Sequence, residues 1–596
     1  MIPTPEEAEV QGRAYDARLV RRLLRYLGPY RRDLALSLAL LLAIGLLELV
    51  GPYLTGVAID RFLTTGQWEG LGPLALLYLG VLLLLFGLRY VQTYLLNRTG
   101  QRAMHDLRVE LFAHLQRMGL RFFDRHPVGA LMTRLTNDIE ALNEALTSGV
   151  VAVLGDVITM VGISVVLVLL DWRLALITFL CLPLLYASSH WIQQRLRDSY
   201  RTIRVRLARL NANVQEAISG LAVIQLFGQE RRALERFDAL NRDHLAASQR
   251  SVLYFSLLFP VVGAVGAVAT AAIVWYGGGQ VLQGTLTLGV LVAFVQYLHR
   301  FYEPIRDLAE KYNIMQQAMT AAERIFGLLD QEPDIRDPAR PRPLVAPRGE
   351  IVFEHVWFAY EGEHWVLRDI ALRIAPGERV AFVGATGAGK TSLISLLARF
   401  YDPQRGRILL DGVDLRELDQ ATLRHQLGIV LQDPFLFAGT LAHNIRLNDP
   451  TIDDARVREA ARRVGAAAFI ERLPGGYEHV VRERGAGLST GQKQLIAFAR
   501  ALAHDPRVLL VLDEATSSVD AETEARISAA LRELGRGRTV IAIAHRLSTV
   551  QEMDRIVVLH KGRVAEQGTH AELLARRGLY YRLWELQRHE ALVRSA

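Results

Sequence analysis

The 596-residue sequence predicts a multidomain chain, in which a helical membrane domain of six spans is followed by an α/β domain. Three observations carry that expectation. Apolar runs recur through the first half at lengths able to cross a bilayer. The loops between them alternate between arginine-poor and arginine-rich. Past a proline-rich stretch, short β-like runs alternate with helical patterns. The divisions fall at 1–32 for a cytoplasmic N-terminal segment, 33–325 for the membrane domain, 326–348 for a linker and 349–596 for the second domain.

The first run, 34–59, reads LALSLALLLAIGLLELVGPYLTGVAI and exceeds the roughly 20 apolar residues that a hydrocarbon core requires. Similar runs lie at 71–96, 149–170, 174–192, 252–276 and 285–299. Hydrophobic residues make up 51% of the chain and its mean hydropathy is +0.17, although 22% of residues are charged, so the averages blend two unlike halves. The opening MIPTPEEAEVQGRAYDARLV has no apolar h-region, and a cleaved signal peptide is not expected. The lone cysteine, Cys181, allows neither an intrachain disulfide nor a thiolate cluster.

The stretches 60–70, 171–173 and 277–284 are short and poor in arginine, whereas 97–148 and 193–251 are long and rich in it. The positive-inside rule puts both long loops in the cytoplasm, along with the basic RLVRRLLRYLGPYRR ahead of the first span. An even number of spans returns the second domain to the same side, which predicts a multi-pass protein of the cytoplasmic (inner) membrane with both termini cytoplasmic. Orientation thus accounts for the formal net charge of +7, and no nucleic-acid partner is expected. The long loops are helical and amphipathic in pattern, as in RAMHDLRVELFAHLQRM, and would prolong the membrane helices. Each is interrupted, by FFDRHPVGALMTRLTND in one and VQEAISGLAVIQLFGQE in the other. These interruptions read either as contacts with a cytoplasmic domain or as plain hairpin tips. Within the spans, Glu48, Arg89 and Asp156 are ionisable. Such groups face a bundle interior or a wet cavity, so structural pairing and a substrate cavity are both open readings.

The stretch 330–350, DQEPDIRDPARPRPLVAPRGE, carries five prolines and many charges, as linkers do. Beyond it stands the strongest single motif, RVAFVGATGAGKTSLISLLARF. Its Gly384, Ala385, Thr386, Gly387, Ala388, Gly389, Lys390, Thr391 and Ser392 follow an apolar strand and open a helix, in the pattern G-x-x-x-x-G-K-[ST]. Glycines let backbone N–H groups turn toward phosphate oxygens, and the helix N-terminus adds the positive end of its dipole. Lys390 suits a bridge between β- and γ-phosphates and Thr391 a ligand to Mg²⁺. Only four lysines occur in the chain, so a chance match is improbable.

Downstream, RVLLVLDEATSSVD is an apolar strand ending in paired carboxylates. Asp513 suits Mg²⁺ through water, and Glu514 can orient or deprotonate an attacking water. RTVIAIAHRLSTV ends in His545, at the carboxyl end of a strand, where open α/β sheets bind ligands.

Together these residues resemble the ATP-binding cassette (ABC) exporter family over nearly the whole chain, which implies a type I ABC exporter fold binding ATP and Mg²⁺. LSTGQ, preceded by ERGAG, is similar to the family signature LSGGQ, and implies that Ser489, Thr490, Gly491 and Gln492 face a partner chain's ATP. Gln432 in GIVLQDPFLFAGT matches the Q-loop and implies a role in catalysis and at Mg²⁺. Ser517 to Asp520 match the D-loop, Tyr360 in VWFAY resembles the aromatic that stacks on adenine, and His545 resembles the switch histidine. The two loop interruptions correspond to coupling helices. Six spans before one nucleotide domain imply a half-transporter that dimerises and exports hydrophobic small molecules, drugs or lipids, surrounded by membrane lipids. A peptide exporter or a dedicated lipid flippase with the same core is the alternative.

Thr490 stands where the family usually has glycine, while the glutamate Glu514 is present. That combination resembles the complete half of a heterodimeric exporter, with a homodimer as the second reading. Ser489 also sits where an N-cap belongs and Gln492 completes a capping-box pattern, so the helix should tolerate Thr490 at its first position. The same helix end is expected to present the Ser489 hydroxyl and the Gly491 N–H outward.

Overall fold

The computed structural model describes residues 16–431, 434–513, 521–544 and 550–586. The chain divides into two compact units, one of Met1–Gln116 with Val128–Gln331 and one of Arg117–Pro127 with Glu332–Ala596.

The first unit is helical. Arg31–Glu48 and Val50–Ala58 run on into a π-helical turn at Ile59–Leu63. Leu71–Gln116 is a single helix of 46 residues, roughly 70 Å at 1.5 Å per residue. Its one proline, Pro73, lies near its start, where a missing N–H costs nothing. The arginine-rich stretch after the second apolar run is therefore an unbroken continuation of the span. Trp172–Leu180, Leu182–Ser219, Glu230–Leu282 and Leu288–Leu329 follow, the last two carrying Pro260 and Pro304 inside.

Among the described residues, four helices are long and apolar enough to cross a membrane: Ala17–Leu63, Leu71–Gln116, Val128–Leu170 and Glu230–Leu282. The other two expected spans fall on the shorter apolar helix Trp172–Leu184 and on Leu288–Leu329, where Gln296, His299 and Arg300 dilute the apolar run. Ile163, Leu167, Leu174, Ala269, Ile273, Phe294 and Tyr297 form one apolar cluster of this unit. Leu288–Leu329 starts against the end of the first span. Asp60 accepts from the Gly289 N–H at 2.7 Å and from the Thr287 hydroxyl at 2.6 Å. A Cβ on Gly289 would stand 2.1 Å from the Gly56 carbonyl oxygen, so the backbones meet there directly.

Among the described residues, the second unit holds two larger sheets and a two-stranded ladder of β7 (Gly439–Thr440) with β8 (Val480–Val481). Strands β1 (Ile351–Ala359), β2 (Trp365–Ile374), β4 (Arg405–Leu410) and β5 (Val413–Asp414) form an antiparallel sheet in the order β2-β1-β4-β5. The larger sheet comprises β3 (Arg379–Val383), β6 (Leu427–Val430), β9 (Val508–Asp513), β10 (Thr539–Ala544), β11 (Arg555–His560) and β12 (Arg563–Gly568). Its order is β12-β11-β3-β10-β9-β6, with every pairing parallel except β11 with β12. Strand residues alternate faces, and the core divides accordingly. Val380, Phe382, Ile541, Ile543, Val557 and Leu559 join one apolar cluster, while Ala381, Val383, Val540, Ala542, Ile556 and Val558 join another.

Thr539 begins β10 fully buried. Its hydroxyl accepts from the Gly377 N–H at 2.9 Å and donates to the Gly349 carbonyl at 2.7 Å. Thr539→Val keeps the shape and leaves both backbone groups unpaired, which costs about 1–3 kcal/mol. The expected result is a lower melting temperature for the second unit, read by calorimetry.

Candidate functional site

Parallel pairing sends β3, β6, β9, β10 and β11 the same way, so their carboxyl ends share one edge of the sheet. The register sets Ala544 beside Asp513 and Val430 beside Val511. Four segments named from the sequence follow strands that end at this edge. The glycine-rich loop follows Val383, Gln432 follows β6, Glu514 follows β9 and His545 follows β10. Asp513 closes β9 as expected. Gln432, Glu514, Ser517 to Asp520 and His545 lie outside the described residues.

The loop from Gly384 to Gly389 is shaped by what its glycines avoid. A Cβ on Gly384 would meet the Leu559 carbonyl oxygen at 2.4 Å. One on Gly389, whose φ is +99°, would meet Leu367 Cδ2 at 2.6 Å. Ala388 N–H donates to the Ala385 carbonyl at 3.1 Å and closes the turn. Ala385, Thr386 and Gly387 are exposed on the loop, as is Thr391 on the helix Lys390–Leu397 that Gly389 caps. Lys390 is buried, and its ammonium donates to the Gly384 carbonyl at 2.6 Å and the Ala385 carbonyl at 3.1 Å. The ammonium is therefore folded over the loop's own rim, where an anion held by the loop would compete for it.

Tyr360 follows β1 half-exposed. Its hydroxyl shares a 3.0 Å hydrogen bond with Ser392 Oγ, and its ring stands edge-on to Phe358 and Tyr401, with centroids 4.8 and 5.2 Å away. This fixes an aromatic ring beside the first turn of the loop's helix, open on one side.

The stretch LSTGQ opens the helix Thr490–His504. Its capping box is complete, since Gln492 N–H donates to Ser489 Oγ at 3.2 Å and Ser489 N–H to Gln492 Oε1 at 2.9 Å. Ser489 and Thr490 are exposed, but Gly491 is buried, so the outward presentation expected of this helix end rests on the first two. Leu495, Ile496, Phe498 and Leu502 pack this helix into the cluster of Ala381 and Val383, whereas Leu393, Ile394 and Leu397 pack the loop's helix into that of Val380 and Phe382. The two helices lie on opposite faces of one sheet.

Sequence reasoning missed Arg500 on the same helix. It donates to the Asn444 carbonyl at 2.8 Å and to the Phe435 carbonyl at 3.2 Å, and burial pushes its guanidinium below the usual arginine range. It thereby ties the segment after Gln432 to the helix of LSTGQ, and no local motif announces such a brace.

In the helical unit, Glu48 pairs with Arg89, Asp156 pairs with Lys311, and Arg300 donates to the Glu48 carbonyl. Glu48, Arg89, Asp156 and Arg300 line a cavity of about 1180 Å³ with Gln92, Thr93 and Asn97. All three groups named from the sequence are ion-paired, and all three line this cavity.

Comparison with known proteins agrees with this geometry. The family described as ABC transporter transmembrane region matches residues 34–305, and that described as ABC transporter matches residues 367–517. The ATP-dependent lipid A-core flippase of Syntrophus aciditrophicus (strain SB) is 38% identical, over 96% of this chain and 94% of its own length. The chain belongs to the ABC transporter family. A multidrug efflux ATP-binding/permease protein of Mycobacterium bovis (strain BCG / Pasteur 1173P2) is 38% identical over 95% of this chain, which spans only 47% of that relative. Among solved structures, that of a bacterial Atm1-family ABC exporter with ATP bound superposes with a TM-score of 0.75 at 30% identity, over 94% of this chain and 98% of that one. The chain thus has the type I ABC exporter fold, a helical membrane region followed by an ATP-binding domain whose ATPase is coupled to transport.

For this ABC exporter, Gly389→Ala forces a Cβ onto Leu367 at a left-handed φ. Strain of about 1–3 kcal/mol is expected there, with loss of nucleotide affinity, measured by titration with a fluorescent ATP analogue.

Proposed function

We propose that this chain is one half of a dimeric ABC exporter that uses ATP to drive hydrophobic compounds, lipids or drugs, across the cytoplasmic membrane by alternating access. One observation carries the dimer. The glycine-rich loop and the LSTGQ helix are each shaped for an anion, yet they pack on opposite faces of one sheet. A site using both needs the loop of one chain and the helix end of another. A relative about twice this chain's length supports the same reading.

Gly384–Ser392 would hold the phosphates, with Lys390 released from the loop carbonyls to the β- and γ-oxygens, and Tyr360 would stack on adenine. Thr391, Asp513 and Gln432 would hold Mg²⁺, which supplies charge neutralisation on the phosphates. Glu514 would orient and deprotonate the attacking water, His545 would sense the γ-phosphate, and Asp520 would meet the partner chain. Ser489, Thr490, Gly491 and Gln492 would close the partner's site. ATP favours the closed dimer only by binding it better than the open one, and that difference is the energy available to turn the membrane helices.

A membrane domain at 33–325, a linker at 326–348 and a nucleotide domain at 349–596 suit this division of labour, with both termini in the cytoplasm as the arginine-rich loops require. The cavity wall that combines apolar side chains with the ion-paired Glu48, Arg89 and Asp156 suits amphiphilic substrates. The relative named as a lipid A-core flippase favours a dedicated lipid flippase as the second reading. Thr490 beside an intact Glu514 favours a heterodimer over a homodimer.

Glu514→Gln is expected to keep ATP binding and to lower turnover by a factor of ~10² or more, measured as phosphate release. Retained hydrolysis would remove Glu514 from the role of base. For the partner, purification alone and with a neighbouring half-transporter should give high ATPase activity only in the pair. Full activity of a self-assembled dimer would establish the homodimer instead.

A further inference from the structure

The ladder between β1 and β4 stops at Trp357, which stands opposite Arg405. Gln404 N–H still donates to the Trp357 carbonyl at 3.2 Å, but the residue before it is Pro403, which has no N–H to continue the pairing. The side chain of Gln404 takes over. Its Oε1 accepts from the Ala359 N–H at 3.0 Å, and its Nε2 donates to the Ala359 carbonyl at 2.7 Å. A side-chain amide here does what the peptide groups of a neighbouring strand do elsewhere. Ala359 is fully buried, so both of its backbone groups would be costly to leave unpaired. Gln404 is itself exposed, and its contribution is these hydrogen bonds, not apolar packing.

Ala359 leads directly into Tyr360, which is thereby held at three levels. Gln404 fixes the backbone before it. Ser392, buried in the first turn of the helix Lys390–Leu397, holds its hydroxyl at 3.0 Å. Phe358 and Tyr401 stand edge-on to its ring. The Tyr401 hydroxyl is occupied elsewhere, donating to Asp124 Oδ2 at 2.6 Å, so Tyr401 offers Tyr360 only its ring. Beside this arrangement Trp357 and Trp365 meet edge-on at 5.5 Å, with the Arg405 guanidinium over both rings. That contact ties the ends of β1, β2 and β4 together where Gln404 acts.

We propose that Gln404 is a positioning residue for the nucleotide base. By pairing both backbone groups of Ala359 it keeps the Tyr360 ring where adenine stacks, and it sets affinity for the base without touching the nucleotide. This rests on the assignment of Tyr360 to adenine. An aromatic face fixed before the ligand arrives spares binding the cost of ordering it. The phosphate loop hangs from a different strand, β3, so the loss of Gln404 should fall on the base and spare the phosphates.

The test separates base from phosphates. AMP-PNP and inorganic tripolyphosphate, each with Mg²⁺, displace a fluorescent ATP analogue from the assembled full-length transporter in lipid nanodiscs. Inhibition constants are corrected for the probe's own affinity. Gln404→Met keeps the length of the side chain and removes both hydrogen bonds. It should weaken AMP-PNP about fivefold or more, the lower range of what one base–aromatic stack supplies, and leave tripolyphosphate within about twofold of the wild type. Gln404→Glu keeps the acceptor, sets a carboxylate against the Ala359 carbonyl and should give the same pattern. In a Tyr360→Ala background Gln404→Met should add nothing, because its effect runs through the ring. Equal weakening of both ligands would overturn the proposal, since Gln404 would then support the whole site. Unchanged AMP-PNP affinity in both variants, with or without a lower melting temperature, would reduce Gln404 to a ladder end. If Tyr360→Ala alone leaves AMP-PNP binding intact, the adenine assignment fails and the proposal falls with its input.

Discussion

Strands β3, β10 and β11 are buried on both faces, and this double burial organises the nucleotide unit. Each successive side chain must enter the opposite apolar cluster, so Val380 and Phe382 part from Ala381 and Val383 within five residues. A helix after a strand can cover only one of the two faces. The helix Lys390–Leu397 takes one and Thr490–His504 takes the other. Parallel pairing then collects the loops at a single edge, where backbone groups no longer have ladder partners and can serve a ligand. The proposed division of the ATP site between two chains would follow from these same packing rules, with no residue added for the purpose.

The membrane unit answers a different constraint. A charge or an unpaired polar group is expensive in hydrocarbon, so each must find a partner within the helices. Glu48 takes Arg89, Asp156 takes Lys311, and Asp60 takes both the Thr287 hydroxyl and the Gly289 N–H. The last arrangement caps a helix start and joins it to the first span, at a point where glycines bring the two backbones together. The carboxylates Glu48 and Asp156 in the cavity wall are therefore each met by a cation.

What the sequence made legible is what is local. The glycine-rich loop, the capping box of Ser489 and Gln492, and the apolar runs are all set by residues a few positions apart, and the helices form where those patterns stand. The contrast with Tyr401 is physical. Its partner Asp124 is 277 positions away, and no periodicity or spacing links two such residues before the chain has folded. Arg500 and its carbonyl partners were hidden for the same reason, because a half-buried arginine on an apolar helix looks like an exception until its acceptors are in view. The apolar runs also fell short as a measure of the helices. Leu71–Gln116 outruns its membrane-length segment because amphipathic sequence continues the helix where lipid no longer selects for apolar residues.

Thr490 shows how a local rule and a functional one can occupy the same residue without conflict. It is the first residue of its helix and exposed, and the capping bonds are made by its neighbours. A threonine there leaves the helix intact, since the backbone at that position is ordinary α and the β-branch points to solvent. Its consequence therefore falls outside its own chain. The added hydroxyl and methyl stand next to Ser489, at the end that would meet another chain's phosphates. In the proposed dimer, an irregular signature beside Glu514 would leave this chain complete in the loop it keeps and altered in the helix end it lends. In a homodimer that alteration would fall on both sites. In a heterodimer it falls on the partner's loop alone, which is where a site already relieved of catalysis would tolerate it.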